Sequence, residues 1–397
     1  MTRIRRRSCV LILTAACVTA LACGLFALTS ARPDPGPGSF DDTLRNPMGP
    51  RDHSQRVDRL DLIDTPDVFA GGRAESVVPH RTAASGLELA QQDSDVFPHR
   101  GTWTSPERTT DFPFTELIPS WNLVAPAETG GCFHVRTRDG RNREWSPWLY
   151  AGCWGRVVLP RQGDRVTRFA GGAVRTDMPL LVLRLPADAY QVRATLQSFD
   201  LDPAVSPRLR RVAVAYSGWV ADPDERKRLR GRDAPVDGWV RDLPVPHVRQ
   251  HDAPLPLRES VCLPACITMV MRHAGVEREL TENALAVYDP EHGLFGNGGR
   301  GVGRAGALDL DGWLQRVGDW NQVKALIGRG QPVVAAVQTQ RGEHVIVVRG
   351  FTASGDVIVN DPLDRGAGGT VRPAAELGRE WFGAGGFACV IRVSAGR

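Results

Sequence analysis

Short runs in which apolar and polar residues alternate fill the chain from about residue 96 to residue 221. Examples lie at 133–137, 180–185, 190–196 and 211–216. Alternation with a period of two predicts half-buried β-strands, and the turn residues between the runs favour antiparallel pairing. The pattern predicts an all-β sandwich domain over residues 96–221.

Helical and strand patterns both occur beyond residue 243. The apolar stretch 262–274 and the amphipathic stretches 307–317 and 320–327 predict helices. Strands are predicted at 333–337, 344–351, 357–359 and 387–393. Helices followed by an antiparallel sheet predict an α+β domain over residues 244–397.

Two segments outside these domains are poor in pattern. Residues 32–95 are rich in Pro, Gly, Asp and Arg, which predicts a largely irregular linker with at most one short helix at 87–91. The charged segment 222–243 is interpreted as a linker between the two domains.

The N-terminus has the pattern of an export signal. Four arginines lie within the first seven residues, an apolar run spans 9–28, and small residues follow at 29–31. These features predict a signal peptide over residues 1–31 and a secreted or cell-surface protein. Contact with a membrane is then expected only through this segment. An uncleaved anchor and lipid attachment at Cys23 are the alternatives.

Composition narrows the functional classes. A length of 397 residues suffices for two domains, and the formal charge is only +4. The basic residues are scattered and no DNA-binding motif is present, so we expect no nucleic-acid partner.

Five cysteines remain after the predicted signal, and an odd number leaves at least one thiol unpaired within the chain. We expect Cys132 to pair with Cys153, because both lie in the β domain and flank a turn-rich stretch. A second disulfide is expected between Cys266 and Cys389.

Cys262 is the thiol for which the sequence indicates a chemical role. Ser260 can cap the predicted helix and Pro264 is tolerated only in its first turn, so Cys262 lies at the helix N-terminus. The helix dipole and free N–H groups favour a thiolate there, and a thiolate is the nucleophile of cysteine hydrolases. A buried small hydrophobe is the alternative.

A base and an orienting acid follow along the chain. His344 stands at the mouth of an apolar strand, and the next strand ends in Asn360 and Asp361. A carboxylate on a neighbouring strand can hold an imidazole in the required tautomer. Adjacent strand residues point to opposite faces, so only one of the two, Asp361 or its competitor Asn360, takes that role.

This ordered set resembles the bacteriocin-processing (double-glycine) cysteine peptidase family and its relatives with a papain-like fold. The matching segments are Val-Pro-His-Val-Arg-Gln at 245–250, Cys-Leu-Pro at 262–264, Gly-Gln-Pro-Val at 330–333, His-Val-Ile-Val-Val-Arg-Gly-Phe at 344–351 and Asn-Asp-Pro at 360–362. The resemblance implies that Cys262 is the nucleophile, His344 the base and Asp361 the orienting acid. It also assigns the oxyanion hole to Gln250.

The resemblance has one departure. The best-known members are fused to export transporters, yet neither Lys227 nor Lys324 lies in a phosphate-binding loop. The chain instead resembles freestanding exported members, and the leader-peptide substrate does not carry over. Residues 101–216 are similar to the β domain that precedes such peptidases in actinobacteria, through the segments 114–122 and 145–148.

Other motifs are interpreted without a role in catalysis. A metal site built on Cys262, Cys266 and His273 lacks a second ligand pair, so we expect no metal or organic cofactor. The run 301–306 matches a dinucleotide fingerprint without a preceding strand, and we interpret the glycine-rich stretch 293–306 as a mobile loop beside the cleft.

The tryptophans of the β domain leave a cell-wall or carbohydrate ligand open, although tryptophans in a sandwich more often belong to the core. They stand at positions 103, 121, 145, 148 and 154.

These observations predict an exported cysteine peptidase. It would hydrolyse peptide or isopeptide bonds of a peptide or protein substrate through a covalent acyl-enzyme. The alternative is a catalytically idle cell-surface binding protein that retains a papain-like domain.

Overall fold

The computed structural model describes residues 55–80, 86–91, 97–158, 165–230 and 237–393. The predicted signal peptide at 1–31 lies outside these residues. Among the residues described, no helix is both long and apolar enough to cross a membrane.

The N-terminal region is rich in strands. They are β1 (Arg56–Ile63), β2 (Arg73–Glu75), β3 (Val77–Pro79), β4 (Leu87–Leu89), β5 (His99–Thr104), β6 (Arg108–Val124), β7 (Thr129–Asp139), β8 (Leu149–Gly155), β9 (Val166–Phe169), β10 (Gly172–Arg175), β11 (Leu180–Ser198) and β12 (Arg208–Trp219). A short helix, α1 (Pro66–Ala70), follows β1. The described strands form one 12-stranded antiparallel network whose main path is β2–β5–β11–β6–β12–β4–β3.

The prediction of an irregular linker over 32–95 is wrong for its described part. β1 pairs with β12 along its whole length, and residues Leu87–Leu89 form a strand rather than a helix. The sequence pattern did not reveal strand β1, because the strand contains charged side chains that are buried in the fold, namely Arg56 and Asp58. Polar content alone is therefore a poor guide to this segment.

The C-terminal region combines helices with a second antiparallel sheet. Its helices are α2 (Pro223–Arg230), α3 (Cys262–His273), α4 (Leu280–Val287), α5 (Gly298–Ala307), α6 (Trp320–Gly328) and α7 (Ala374–Trp381). Its strands are β13 (Arg241–Asp242), β14 (Leu310–Arg316), β15 (Val333–Thr339), β16 (Gly342–Phe351), β17 (Val357–Asn360), β18 (Thr370–Arg372) and β19 (Phe387–Val393). The sheet order is β14–β19–β15–β16–β17–β18, with β13 beside β16. The strands predicted beyond residue 330 and the helices predicted at 262–274 and 320–327 are confirmed.

Two predictions between residues 293 and 317 are wrong. The glycine-rich stretch forms helix α5, because its glycines allow close packing. A Cβ on Gly303 would lie 2.6 Å from the Trp154 ring, and one on Gly306 would lie 2.6 Å from the Cα of Asn122. The stretch predicted as a helix at 307–317 contains strand β14, which is buried at six of its seven positions and therefore lacks a period of two.

Three strands of the N-terminal region are buried on both faces. Along β12, Val212 and Val214 pack in the core of the N-terminal region, whereas Ala213 and Ala215 pack in the core of the C-terminal region. On β6, Leu117 packs in the core of the N-terminal region and Ile118 in that of the C-terminal region, and neighbouring residues of β11 alternate in the same way. Successive side chains of a strand point to opposite faces, so one sheet separates and joins two hydrophobic cores.

Buried polar contacts fix this junction. The Asn122 side chain donates to the Gly312 carbonyl oxygen at 3.0 Å and accepts from the Gly312 N–H at 3.1 Å. Ser120 Oγ accepts from the Leu314 N–H at 3.1 Å. From β1, Arg56 donates to the carbonyl oxygens of Gly385 and Val317. Strand β14 is thus held by β19 on one side and by side chains of β6 on the other.

Candidate active site

Cys262 is the first residue of α3, the helix at the centre of the C-terminal core. Residues 263–271 of this helix are buried, whereas Cys262 is half-buried. Val261 occupies the N-cap position and no side chain caps the helix, so the cap predicted at Ser260 is not formed. No side-chain acceptor therefore competes for the free N–H groups of the first helical turn, where the Cys262 thiol lies.

His344 lies on β16 between the thiol and a carboxylate. Its Nε2 is 2.7 Å from Asp361 Oδ1, and Cys262 is close enough to the ring to raise the pKa of the imidazole. Because Nε2 is occupied by Asp361, the other ring nitrogen, Nδ1, serves the thiol. The three side chains expected to act together are therefore adjacent in the structure.

The electrostatics favour a protonated imidazole. Burial lowers the pKa of His344, but the hydrogen bonds and charges of Asp361 and Cys262 outweigh it and raise the pKa to about 9. Burial likewise opposes ionisation of Asp361, yet the His344 ring and the Leu363 N–H keep the pKa of this carboxyl below its usual value. The pair is thus an imidazolium beside a carboxylate at neutral pH.

Asn360, the competitor of Asp361, holds the backbone instead. Its Nδ2 donates to the Val245 carbonyl oxygen at 3.0 Å, and its Oδ1 accepts from the Gly369 N–H at 2.9 Å. The side chain is fully buried. Asp361 is the first residue after β17, and its side chain is the one that meets His344.

Gln250 begins a short 3-10 helix ahead of α3. Its N–H donates to the Pro362 carbonyl oxygen at 3.0 Å, which ties it to the residue after Asp361. Its Nε2 donates to the Arg258 carbonyl oxygen at 2.7 Å, while its buried Oε1 has no partner among the described residues. The amide is therefore fixed by the loop that leads to Cys262.

His247 is a neighbour that the sequence did not single out. Its Nε2 lies 2.8 Å from the Asp361 carbonyl oxygen. A histidine in the Val-Pro-His segment at 245–247, just ahead of Gln250, was the available signal.

All five described cysteines are free, so neither expected disulfide is present. Cys132 and Cys153 do face each other across β7 and β8, but both are thiols. Burial raises the pKa of Cys132 and Cys389 to about 12 and that of Cys153 to about 11, and it also raises the pKa of Cys266. These four thiols therefore stay protonated at neutral pH.

One further cluster of titratable groups lies in the loop before α5. Asp289, Glu291 and His292 approach one another closely enough to hold an ion. However, Asp289 Oδ2 already accepts from His292 Nδ1 at 2.8 Å and from Asn297 Nδ2 at 2.7 Å, and His292 Nε2 lies 2.9 Å from Thr176 Oγ1. These bonds satisfy the cluster internally and connect the loop to the N-terminal region.

A helix-terminal thiol beside a histidine and an aspartate is the arrangement of a cysteine peptidase. Residues 242–386 match the model of the peptidase C39-like family, and residues 60–217 match the model of the peptidase C39 N-terminal domain. The C-terminal domain of this chain therefore belongs to the C39-like peptidase family.

Solved structures add distant likenesses. A double-glycine-motif protease from an AMS/PCAT transporter, in complex with its leader peptide, is 19% identical over 40% of this chain and 98% of its own, with a TM-score of 0.31. A C39-like peptidase from Bacillus anthracis is 16% identical over 38% and 96%, also with a TM-score of 0.31. TmCBM61 in complex with β-1,4-galactotriose is 8% identical over 38% and 90%, with a TM-score of 0.20. These likenesses are too distant to show what the chain does, and a comparison with curated proteins gives no match.

The contact between His344 and Asp361 predicts a titration that can be measured directly. The folded pKa of about 9 exceeds the ordinary value of about 6.5. The protonated ring therefore stabilises the fold fully below about pH 6.5, and this contribution is lost as the pH rises through about 9. In Asp361→Asn the pKa of His344 should fall because the negative charge is removed.

NMR titration of the His344 ring, assigned with His344→Asn, measures this midpoint. Asn360→Ala is the comparison variant, since Asn360 bonds to backbone groups rather than to the ring, and it should leave the midpoint near 9. A larger downward shift in Asn360→Ala than in Asp361→Asn would reverse the assignment of the acid.

Proposed function

We propose that this chain is an exported cysteine peptidase that hydrolyses peptide or isopeptide bonds. The observation that supports this best is the row formed by the Cys262 thiol, the His344 ring and Asp361, in which the ring lies 2.7 Å from the carboxylate and interacts with the thiol. Such a row supplies a nucleophile, a proton carrier and a group that fixes the tautomer of the carrier.

In the proposed reaction the Cys262 sulfur attacks the carbonyl carbon as a thiolate, and the carbonyl electron pair moves to oxygen. The Cys262 N–H and the amide of Gln250 stabilise this oxyanion. When the tetrahedral intermediate collapses, the C–N bond breaks and imidazolium His344 protonates the leaving amine. The neutral imidazole then takes a proton from water, whose oxygen attacks the thioester and releases the acid.

The finer fold assignments form part of the same proposal. We assign a papain-like arrangement to residues 244–397, supported by the packing of α3 on β15, β16 and β19. We assign a β-sandwich to the N-terminal domain. Because β1 pairs with β12, we extend the limits of this domain from 96–221 back to about residue 55.

Protein recovered from the medium of producing cells tests location and chemistry together. N-terminal sequencing should begin near Arg32; a start at Met1 in the membrane fraction would show an anchor instead. A peptidyl probe that alkylates active-site thiols should label Cys262 alone, because the other four described thiols are protonated and His344 supports only this one. If Cys262 stays unlabelled in folded protein, the chain is the idle binding protein rather than an enzyme.

A further inference from the structure

Arginine and tryptophan side chains alternate on the N-terminal region, on the side of β7 and β11 away from the core. We call this row the Arg–Trp ladder, and its order is Arg138, Trp145, Arg136, Trp148, Arg193. The guanidinium carbon of Arg136 lies 4.7 Å from the centroids of both rings, and that of Arg193 lies 4.1 Å from Trp148. Each contact is within the ~6 Å range of a cation–π interaction.

Trp145 and Trp148, the two tryptophans of the ladder, differ in environment from the other tryptophans of the N-terminal region. Trp103, Trp121 and Trp154 are at most 7% exposed and belong to the core. Trp145 and Trp148 are half-buried, and each ring has two guanidinium groups within 6 Å. The rings are therefore occupied by cations, and the ladder offers N–H groups rather than bare indole faces.

The first cation of the ladder is neutralised within the chain. Arg138 Nε lies 2.8 Å from Asp188 Oδ1, and its Nη1 contacts Glu107. This end of the ladder therefore has no need of an external anion.

The other two cations differ. Arg136 Nε donates to Gln191 Oε1 at 2.9 Å, and Arg193 Nε donates weakly to Thr104 Oγ1 at 3.4 Å. Both partners are neutral, and neither arginine forms an ion pair with a carboxylate in the described part of the chain. Two positive charges thus flank the Trp148 ring, and the more distant Glu107 offsets that of Arg136 only in part.

Like charges held this close repel each other. Burial and the charge of Arg193 lower the pKa of Arg136. Burial and the same arginine lower the pKa of His134, the register partner of Arg193, to about 4. His134 is therefore neutral at physiological pH, and a bound anion would relieve the remaining repulsion between the two guanidinium groups.

The shape of the stack indicates which anion fits. Gln191 Oε1 accepts from both Nε and Nη2 of Arg136, so the outer N–H groups of Arg136 and the terminal nitrogens of Arg193 are the donors that remain in the planes of the stacked groups. Such donors match the two oxygens of a carboxylate. Neutral hydrogen-bonding side chains lie beside the two guanidinium groups, namely Gln191 next to Arg136 and Thr104 next to Arg193.

We propose that the Arg–Trp ladder binds an acidic polysaccharide, with Arg136 and Arg193 holding the carboxylates of its uronate residues. The inference rests on the proposed location outside the cell, where such polymers occur. Binding at this site would place the peptidase on a glycan-bearing surface and would leave Cys262 free to react.

The test uses the full exported protein and isothermal titration calorimetry with polygalacturonate, a linear uronate polymer. Neutral galactan and poly(glycerol phosphate) serve as the uncharged and the phosphate-bearing counterparts. Arg136→Gln with Arg193→Gln should weaken polygalacturonate binding at least tenfold. Arg193→Lys should also weaken it, because lysine keeps the charge but lacks the planar fork.

The matched control is Arg228→Gln with Arg329→Gln, which removes two charges from exposed positions elsewhere and should bind like the wild type. Equal weakening in both double variants, tighter binding of poly(glycerol phosphate), or no binding of polygalacturonate would each overturn the proposal. Probe labelling of Cys262 in the same preparations keeps the two hypotheses apart, since a failed peptidase loses labelling whether or not the glycan binds.

Discussion

Cys262→Ala is expected to abolish turnover of every peptide that the wild-type protein cleaves. None of the other described thiols can replace it, because burial holds them in their protonated form. The substitution removes one half-buried sulfur at a helix end, so the thermal unfolding midpoint should change little. His344→Ala should reduce turnover to the same residual level, because nucleophile and base act as a unit.

Graded variants test the individual roles. Gln250→Ala should lower kcat by roughly a hundredfold or more, as loss of an oxyanion donor does elsewhere, while probe labelling of Cys262 persists. Cys266→Ala is the matched control, since this thiol lies one helical turn away and donates only to the Val345 carbonyl oxygen. Undiminished cleavage by Cys262→Ala would contradict the cysteine-peptidase mechanism outright.

Removal of the N-terminal region should prevent the catalytic domain from folding. A fragment that begins at residue 237 would expose the apolar surface that Ile118, Ala213 and Ala215 cover in the intact chain. It would also leave the buried Gly312 N–H and carbonyl without their Asn122 partners. We expect no cooperative unfolding transition by calorimetry and no labelling of Cys262.

Asn122→Ala measures the same junction in the full chain. Each of the two buried Gly312 groups left without a partner costs about 1–3 kcal/mol, so the free energy of unfolding should fall by about 2–6 kcal/mol. Asn142→Ala, in an exposed turn, is the control and should have almost no effect. A soluble, cooperatively folding fragment from residue 237 that reacts with the probe would show that the two domains are independent.

The strands with clear periodicity could be predicted from the sequence. β16 and β19 are long apolar runs, and helix α3 is recognisable because Pro264 fits only its first turn. The order of Cys262, His344 and Asp361 also anticipated which side chains meet, with one alternative left open. Only the fold could show that Asn360 faces the backbone of Val245 instead.

The elements that the sequence did not predict depend on contacts between segments far apart in the chain. The glycine-rich sequence of α5 disfavours a helix. The helix packs so closely against Trp154 and Asn122 that side chains at Gly303 and Gly306 would not fit. β14 is buried on both faces because β6 lies beside it. Close placement of Cys132 and Cys153 was foreseen correctly, but proximity did not produce the expected disulfide.

The position of β19 has a consequence for when the proposed catalytic site can assemble. This strand is the last that the structure describes in the chain, yet it lies inside the sheet between β14 and β15. Chains are synthesised from the N-terminus, and domains fold as units. Until residues 387–393 arrive, the sheet that positions His344 lacks an internal strand, so a nascent chain has no assembled catalytic centre. The sheet order thus means that Cys262, His344 and Asp361 can be brought together only after residues 387–393 have been synthesised.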